Sequence, residues 1–550
     1  MRGKGHMKLK KNIARLLSMV LLVGTLSGCS NTSNEGSDST AKSGVEQRKE
    51  NNEVVVSVGA EPEAGFDAIT GGHGSITNVF FSTLMKRDKE LGWENDLATD
   101  YKISDDKLTW TVTIRDDAKF TNGEKVTAED VAFTYETTKE SSTEVDLTMI
   151  KEVKAIDETT VEFTLERPMS TFIEKLGVCG IVPKASYNDE FKDNPIGSGP
   201  FKFVQWDKGQ QVIAEKNEDY YGEKAKIDKL TMVFLDTDAA YNAVKSGDVD
   251  MAAINGELAG EKIEGTEILD IASIECYGVE FPMVPNTGEK TETGYEIGNN
   301  VTSDIAIRRA LNTAVDRQGM VDGVLNGYGT VSTTGLEKMP WLNKETVLEE
   351  SEYNNVDGAK KILEEGGWKD TDNDGIVEKD GTKASFKVLY TAGNYRQELG
   401  LEFQNKAKEI GIEVTLEERT WDTILEDIHR EAVLFGFGSG DPSELYNLYY
   451  GRAANTAVEW DNAGFYSNET VNSYIDKALD CEDEKEALEY WQKAQWDGKT
   501  GASVKGDSPY AWLVNANHVY LVSEGFDLGN PVVQPHGGRI FDNVEEWSWK

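Results

Sequence analysis

The stretch Leu108–Tyr135, LTWTVTIRDDAKFTNGEKVTAEDVAFTY, decides the fold class. Leu108, Trp110, Val112 and Ile114 alternate with three threonines, the period of two that marks a strand with one face buried. Asn122-Gly123 supplies turn chemistry. Thr127, with Asp130 three residues on, opens a helix: hydroxyl and carboxylate can accept from first-turn N–H groups that have no partner inside the helix.

Strands and helices interleave along the rest of the chain. Val54, Val56 and Val58 alternate, as do Val161, Phe163 and Leu165, and Thr231 to Leu235 reads as a further strand. Ile307, Ala310, Leu311, Ala314 and Val315 make one apolar helix face. Gly366-Gly367 caps the helical run Ala359 to Glu365, and a helix from Glu398 to Ile410 stops at Gly411 before the strand Ile412 to Leu416. Mixed elements throughout predict α/β architecture. At 550 residues the chain exceeds what one hydrophobic core supports, so two lobes or more are expected. No internal repeat is present.

The formal net charge is −41, and residues 1–28 carry six Lys/Arg and no Asp/Glu, so without them the chain is more acidic still. Such a field repels phosphate backbones and excludes nucleic acid as a partner. Within the leader, Lys8, Lys10, Lys11 and Arg15 form a basic region ahead of the apolar run Leu16 to Leu26, too short to span a bilayer stably. Leu26-Ser27-Gly28-Cys29 follows. It resembles the bacterial lipobox, in which the cysteine is lipidated and becomes the first residue; an ordinary secretory signal with an incidental cysteine is the alternative. Ser30 to Asn52 is rich in Ser, Asn and Glu with almost no large apolar residue, so residues 29–52 read as a flexible tether. No later segment is apolar enough to cross a membrane. Cys179, Cys276 and Cys481 have no metal-type spacing, and either one disulfide or three free thiols fits them.

Five ordered blocks carry a family resemblance. The opening stretch is similar to a DG-T-x-T-F-x-L-R block followed by F-x-x-G-x-x-x-T-A-x-D-V. Ile196 to Tyr221, IGSGPFKFVQWDKGQQVIAEKNEDYY, resembles a G-T-G-P-Y/F strand entry with a closing N-x-x-Y-Y/W. AVKSGDVDM (243–251), the R-x-A-L-x-x-A-x-D-R helix within 304–329, and AKKILEEGGW with DNDGIVEKDG (359–381) and EIGIEVTL (409–416) follow in order. On these residues the chain is identified as a member of the peptide/nickel class of ABC-transporter solute-binding proteins. The resemblance implies a two-lobed periplasmic-binding-protein fold with a ligand cleft between lobes. It implies lobe I from residues 53–77, 196–282 and 516–550, a subdomain of residues 78–195 on that lobe, and lobe II from 283–515. The implied function is a monomeric, lipid-anchored receptor on the extracytoplasmic face that carries a peptide to membrane permease subunits and catalyses nothing. A nickel or metal-chelate receptor is the alternative within the class; a surface sensor or adhesin using the fold is a third reading.

The chemistry-bearing residues fit a non-enzyme. There is no H-E-x-x-H and no G-x-S-x-G, and Gly498-Lys499-Thr500 has Lys493 where a phosphate-binding loop needs its first glycine. Four histidines lie beyond the leader, His73, His429, His518 and His536, with no two within ten residues. Asp370, Asp372, Asp374 and Gly375 begin like a calcium loop, but Gly381 stands where the bidentate Glu belongs, so a turn without metal is expected and no cofactor is called for. Gly71-Gly72-His73-Gly74 permits close backbone approach to a ligand, with His73 as donor, or is a plain loop. Phe435 to Tyr450, FGFGSGDPSELYNLYY, is the main site candidate. By resemblance, Asp441 is placed to pair with a peptide's α-amino group, with Phe437, Ser439 and Tyr446 around it. Ser439-Gly440 departs from the family's usual acid position, and the alternative makes Asp441-Pro442 a helix-opening pair.

Overall fold

In the stretch from Leu108, strand Thr109–Ile114 buries Trp110, Val112 and Ile114 and leaves its threonines half-buried. Gly123 takes the turn at φ 88°, where a side chain would be strained. Helix Ala128–Ser141 follows. The Asp130 carboxylate accepts from Thr127 N at 2.9 Å, but the Thr127 hydroxyl donates to the same carboxylate at 2.7 Å instead of capping a backbone group.

The computed structural model describes residues 44–62, 65–70, 76–89, 91–141, 145, 147–393, 395–451, 460–481, 484–535 and 539–550. Three sheets organise them. The first has seven strands, in spatial order Thr266–Ile271, His518–Ser523, Met251–Ile254, Glu53–Ser57, Lys229–Val233, Gln211–Lys216 and Phe201–Asp207. The second has six: Gly329–Val331, Tyr510–Ala516, Cys276–Glu280, Ala432–Phe437, Ser385–Tyr390 and Glu413–Glu418. The third is an antiparallel four-stranded sheet of Ala98–Ile103, Thr109–Ile114, Thr160–Leu165 and Ile150–Ala155. Each sheet carries its own buried apolar cluster, as a chain too long for one core requires. Cys276–Glu280 pairs on both sides within the second sheet, although its residues were expected in the first lobe. The chain leaves the first sheet after Ile271, because all five residues of strand Cys276–Glu280 are buried and find their partners between two strands of the second.

Two crossovers join the halves, at residues 272–275 and at Asn517. They are stitched to each other. Ser273 Oγ donates to the Ala516 carbonyl, Ala516 N to Glu275 O at 3.0 Å, and Ile274 N to Gln534 O at 2.9 Å.

The expected tether ends earlier than its composition suggests. Gly44–Asn51 is a helix, and Arg48 pins it to the first half: Nε meets Asp250 Oδ2 at 2.7 Å and Nη2 donates to Gly247 O at 2.8 Å. The helix holds no buried apolar residue, so a salt bridge to a buried carboxylate docks it, which a hydrophobicity reading cannot detect. Residues 1–43, with the leader and Cys29, lie outside the described residues. Among those described, no helix is long and apolar enough to cross a membrane. Cys179 and Cys276 are free thiols, and burial pushes Cys179 up to about 12.

Candidate functional site

A cavity of about 2050 Å³ opens between the two large sheets. The first sheet contributes Ala253, Ile254 and Asn255 at one strand end and His518 and Val519 at another. The second contributes Tyr277 and Phe435 to Phe437, with Glu275 beside it, Thr391 to Gly393, the helix start Tyr395 to Glu398 and residues Glu418 to Trp421. Both crossovers reach its wall, through Glu275 and through Ala516 to His518.

Arg396 is a charged residue of this cavity whose hydrogen bonding is incomplete among the described residues. It is 6% exposed, and its Nε has no hydrogen-bond partner among the described residues. Its guanidinium carbon lies 5.6 Å from the Tyr277 ring and 5.5 Å from the Trp421 ring. Those aromatic faces compensate only part of the cost of removing a cation from water. Arg396 also opens helix Arg396–Glu409, whose N-cap Tyr395 is left-handed and provides no side-chain cap. A helix start without a cap presents N–H groups and positive dipole to whatever occupies the cavity. By contrast, Arg419 is already engaged, with Glu417 at 2.7 Å and Asp427 at 2.7 Å.

Glu275 is the buried acid of the same cavity. Tyr277 Oη donates to it at 2.6 Å, and His518 Nε2 lies 3.2 Å from its other oxygen. The pairing places an acid, a phenol and an imidazole at the crossovers, while Asp238, Glu257, Glu398 and Glu418 make the remaining wall acidic. Opposite charges thus coexist in one cavity. Aromatic rings supply its apolar part. Trp421 stacks on Phe435 with centroids 5.8 Å apart and planes 8° from parallel, and Trp460 meets both edge-on.

Of the residues singled out in the sequence, Phe437 lines this cavity. Ser439, Asp441 and Tyr446 do not. The strand ends at Phe437 and the chain turns away from the cavity. Ser439 Oγ accepts from Asp441 N at 3.0 Å, and Asp441 Oδ1 accepts from Ser443 N at 2.8 Å, an Asx turn just ahead of helix Glu444–Tyr449. Burial raises the Asp441 carboxyl above its ordinary range. Tyr446 stacks on Tyr450 with centroids 4.6 Å apart. His73 lies outside the described residues.

Asp370, Asp372 and Asp374 do converge, their nearest carboxylate oxygens within 4.8 Å of one another. Asp370 accepts from Asn373 N and Gly375 N, however, and Lys383 Nζ bridges Asp372 and Asp374 from the adjoining hairpin Glu378–Lys379/Thr382–Lys383. An ammonium therefore already meets the charge of this loop.

Two sheet-centred halves, two short crossovers and a charged aromatic cavity between them define the class of two-lobed solute-binding proteins. The family profile "Bacterial extracellular solute-binding proteins, family 5 Middle" matches residues 92–457, and this chain belongs to that family. It is 31% identical over 492 residues to Protein XP55 of Streptomyces lividans, covering 86% of this chain and 85% of that protein. It is 29% identical over 571 residues to the oligopeptide-binding protein AppA of Bacillus subtilis, covering 98% and 99%. The solved structure of AppA from Bacillus subtilis, in complex with a nonapeptide, superposes with TM-score 0.70 at 26% identity, covering 90% of this chain and 99% of that one. NikZ of Campylobacter jejuni, in complex with Ni(L-His), shares the fold with TM-score 0.74 at 24% identity over 90% and 99% of the chains.

Proposed function

We propose that this protein is a lipid-anchored receptor that binds a short peptide through its carboxylate in the cleft between the halves and delivers it to an ABC permease. The carrying observation is Arg396. A guanidinium so buried on the wall of an open cavity, without an acidic partner among the described residues, favours a ligand that brings a complementary anion. The planar fork of arginine favours a carboxylate held by two parallel bonds, and the uncapped helix start beside it adds to the attraction. Acidic side chains elsewhere on the wall suit the ammonium of the same zwitterion, and the aromatic group of Trp421, Phe435 and Trp460 suits an apolar side chain between them. The size of the cavity supports a peptide over a compact solute. Its 2050 Å³ exceeds the roughly 300–1,000 Å³ of ordinary small-molecule sites. The relative named for oligopeptide binding, aligned over 98% of this chain, supports the same choice.

A chelate such as nickel with histidine also brings carboxylates to Arg396, and His518 is an imidazole on the same wall. The two readings separate by calorimetry. A nonapeptide with a free C-terminus is expected to bind. Its C-terminally amidated form loses about tenfold or more in affinity, because a charge-assisted bond contributes about 1.5–3 kcal/mol. Arg396→Ala should lose affinity for the free acid and treat acid and amide alike. Equal binding of both forms by the unaltered protein, or a response to nickel–histidine with none to peptides, overturns the proposal.

A further inference from the structure

The hairpin Met85–Arg87/Trp93–Asn95 belongs to the part of the chain expected on the first lobe, yet it meets the second. Leu91, held at φ 64°, packs against the apolar cluster that contains Leu445 and Leu448. Arg87 lies 3.8 Å over the Trp93 ring and spends its fork on three partners. Nη1 donates to Leu91 O at 2.6 Å, closing the hairpin on itself. Nη2 meets the Glu174 carboxylate at 2.5 Å and donates to the Gly440 carbonyl at 2.6 Å. A second crossing contact comes from Ser170, whose N donates to Leu479 O and whose Oγ donates to Ala478 O, both at 2.9 Å.

Gly440 lies three residues beyond Phe437, where the ladder with Cys276 ends and the cavity wall stops. A Cβ at Gly440 would stand only 3.2 Å from Arg87 Nη2, so glycine lets the guanidinium reach the carbonyl. The sheet holds the wall strand from Val433 to Phe437, and an arginine from the part of the chain expected on the other lobe holds the segment just beyond it.

We infer that Arg87 is a positioning residue for the cleft: by holding the Gly440 carbonyl it fixes the Phe437–Asp441 segment, and with it the end of the ligand-facing strand, without lining that cleft itself. Its relevance to binding rests on the peptide-receptor reading, but the positioning does not, and it is measured on ligand-free protein. Hydrogen exchange of the full chain, followed by mass spectrometry, is compared for the unaltered protein, Arg87→Ala and Arg87→Lys. Arg87→Ala is expected to speed exchange of amides in residues 438–446 by tenfold or more while leaving Ser385–Tyr390 in the same sheet unchanged. Arg87→Lys should fall between, since one ammonium cannot serve Leu91, Glu174 and Gly440 in the geometry of a fork. The lysine variant also carries the test if the alanine variant does not fold. Unchanged exchange at 438–446 in the folded variants overturns the inference. So does an equal rise throughout the second sheet, which would mark general destabilisation.

Discussion

At the scale of single residues, the two acids most exposed to reinterpretation are Asp441 and Glu174. Asp441 reads from the sequence as a ligand anchor or as a turn former, and its bond to Ser443 N has the geometry of the second. Asn makes the same turn. Asp441→Asn is therefore expected to leave peptide affinity unchanged by calorimetry, and a loss of tenfold or more would restore the anchoring role. Glu174 was invisible in the sequence, as was Arg396. Each looks like an ordinary helical charge until residues far away in the chain bury it. For Glu174, burial and the neighbouring Asp441 push the carboxyl up to about 8, against the pull of Arg87 and the Trp93 N–H. An acid raised in the fold favours the folded state fully below its unfolded value, near 4.5, and this contribution fades as pH rises toward 8. Glu444, raised to about 7 chiefly by burial, adds to the same slope. The urea midpoint should therefore fall between pH 5 and pH 8, and Glu174→Gln should narrow that difference. An equal difference in both proteins would show that Glu174 does not carry it.

Elements were legible where periodicity and turn chemistry agree. Thr109–Ile114, Ile305–Ala314 and the Gly411 stop before Glu413–Glu418 all follow from local pattern, because their apolar faces are regular and Gly411 takes a left-handed conformation that glycine favours. Gly44–Asn51 was not legible, since it has no apolar face at all. Arg48 holds it through the ion pair with Asp250 and a bond to the Gly247 carbonyl. Asp250, 0% exposed, also accepts from Val55 N and Ser523 Oγ, so it is well solvated by protein but still needs the cation. Arg48→Ala leaves that carboxylate buried without its counter-charge, which costs about 3–5 kcal/mol where such a partner is lost outright. The expected result is release of the helix first: limited proteolysis should cut within residues 44–52 in the variant and spare the unaltered protein. Equal resistance would mean that other contacts hold the segment.

At the scale of the whole molecule, local pattern could not show that Glu53–Ser57 and His518–Ser523 belong to one sheet, because strand pairing across the full chain leaves no periodic trace; only the family resemblance pointed there. The crossover near residue 272 escaped even that, since the all-buried strand Cys276–Glu280 suits either sheet by composition. Attachment to a membrane is the remaining property of the whole molecule, and charge makes it testable. With a net charge of −41 the chain as a whole is repelled by anionic lipid, which works against a second, electrostatic anchor. No described helix can span the bilayer either. If Cys29 is lipidated, its acyl chains supply the attachment, at about 0.8 kcal/mol per buried methylene. Cys29→Ser should then move the protein entirely from the membrane fraction to the soluble one, with no intermediate state that depends on salt. Fractionation before and after a high-salt wash checks this. A Ser variant that stays with the membrane through the wash would mean that the lipobox reading is wrong and that a segment other than the cysteine holds the receptor there.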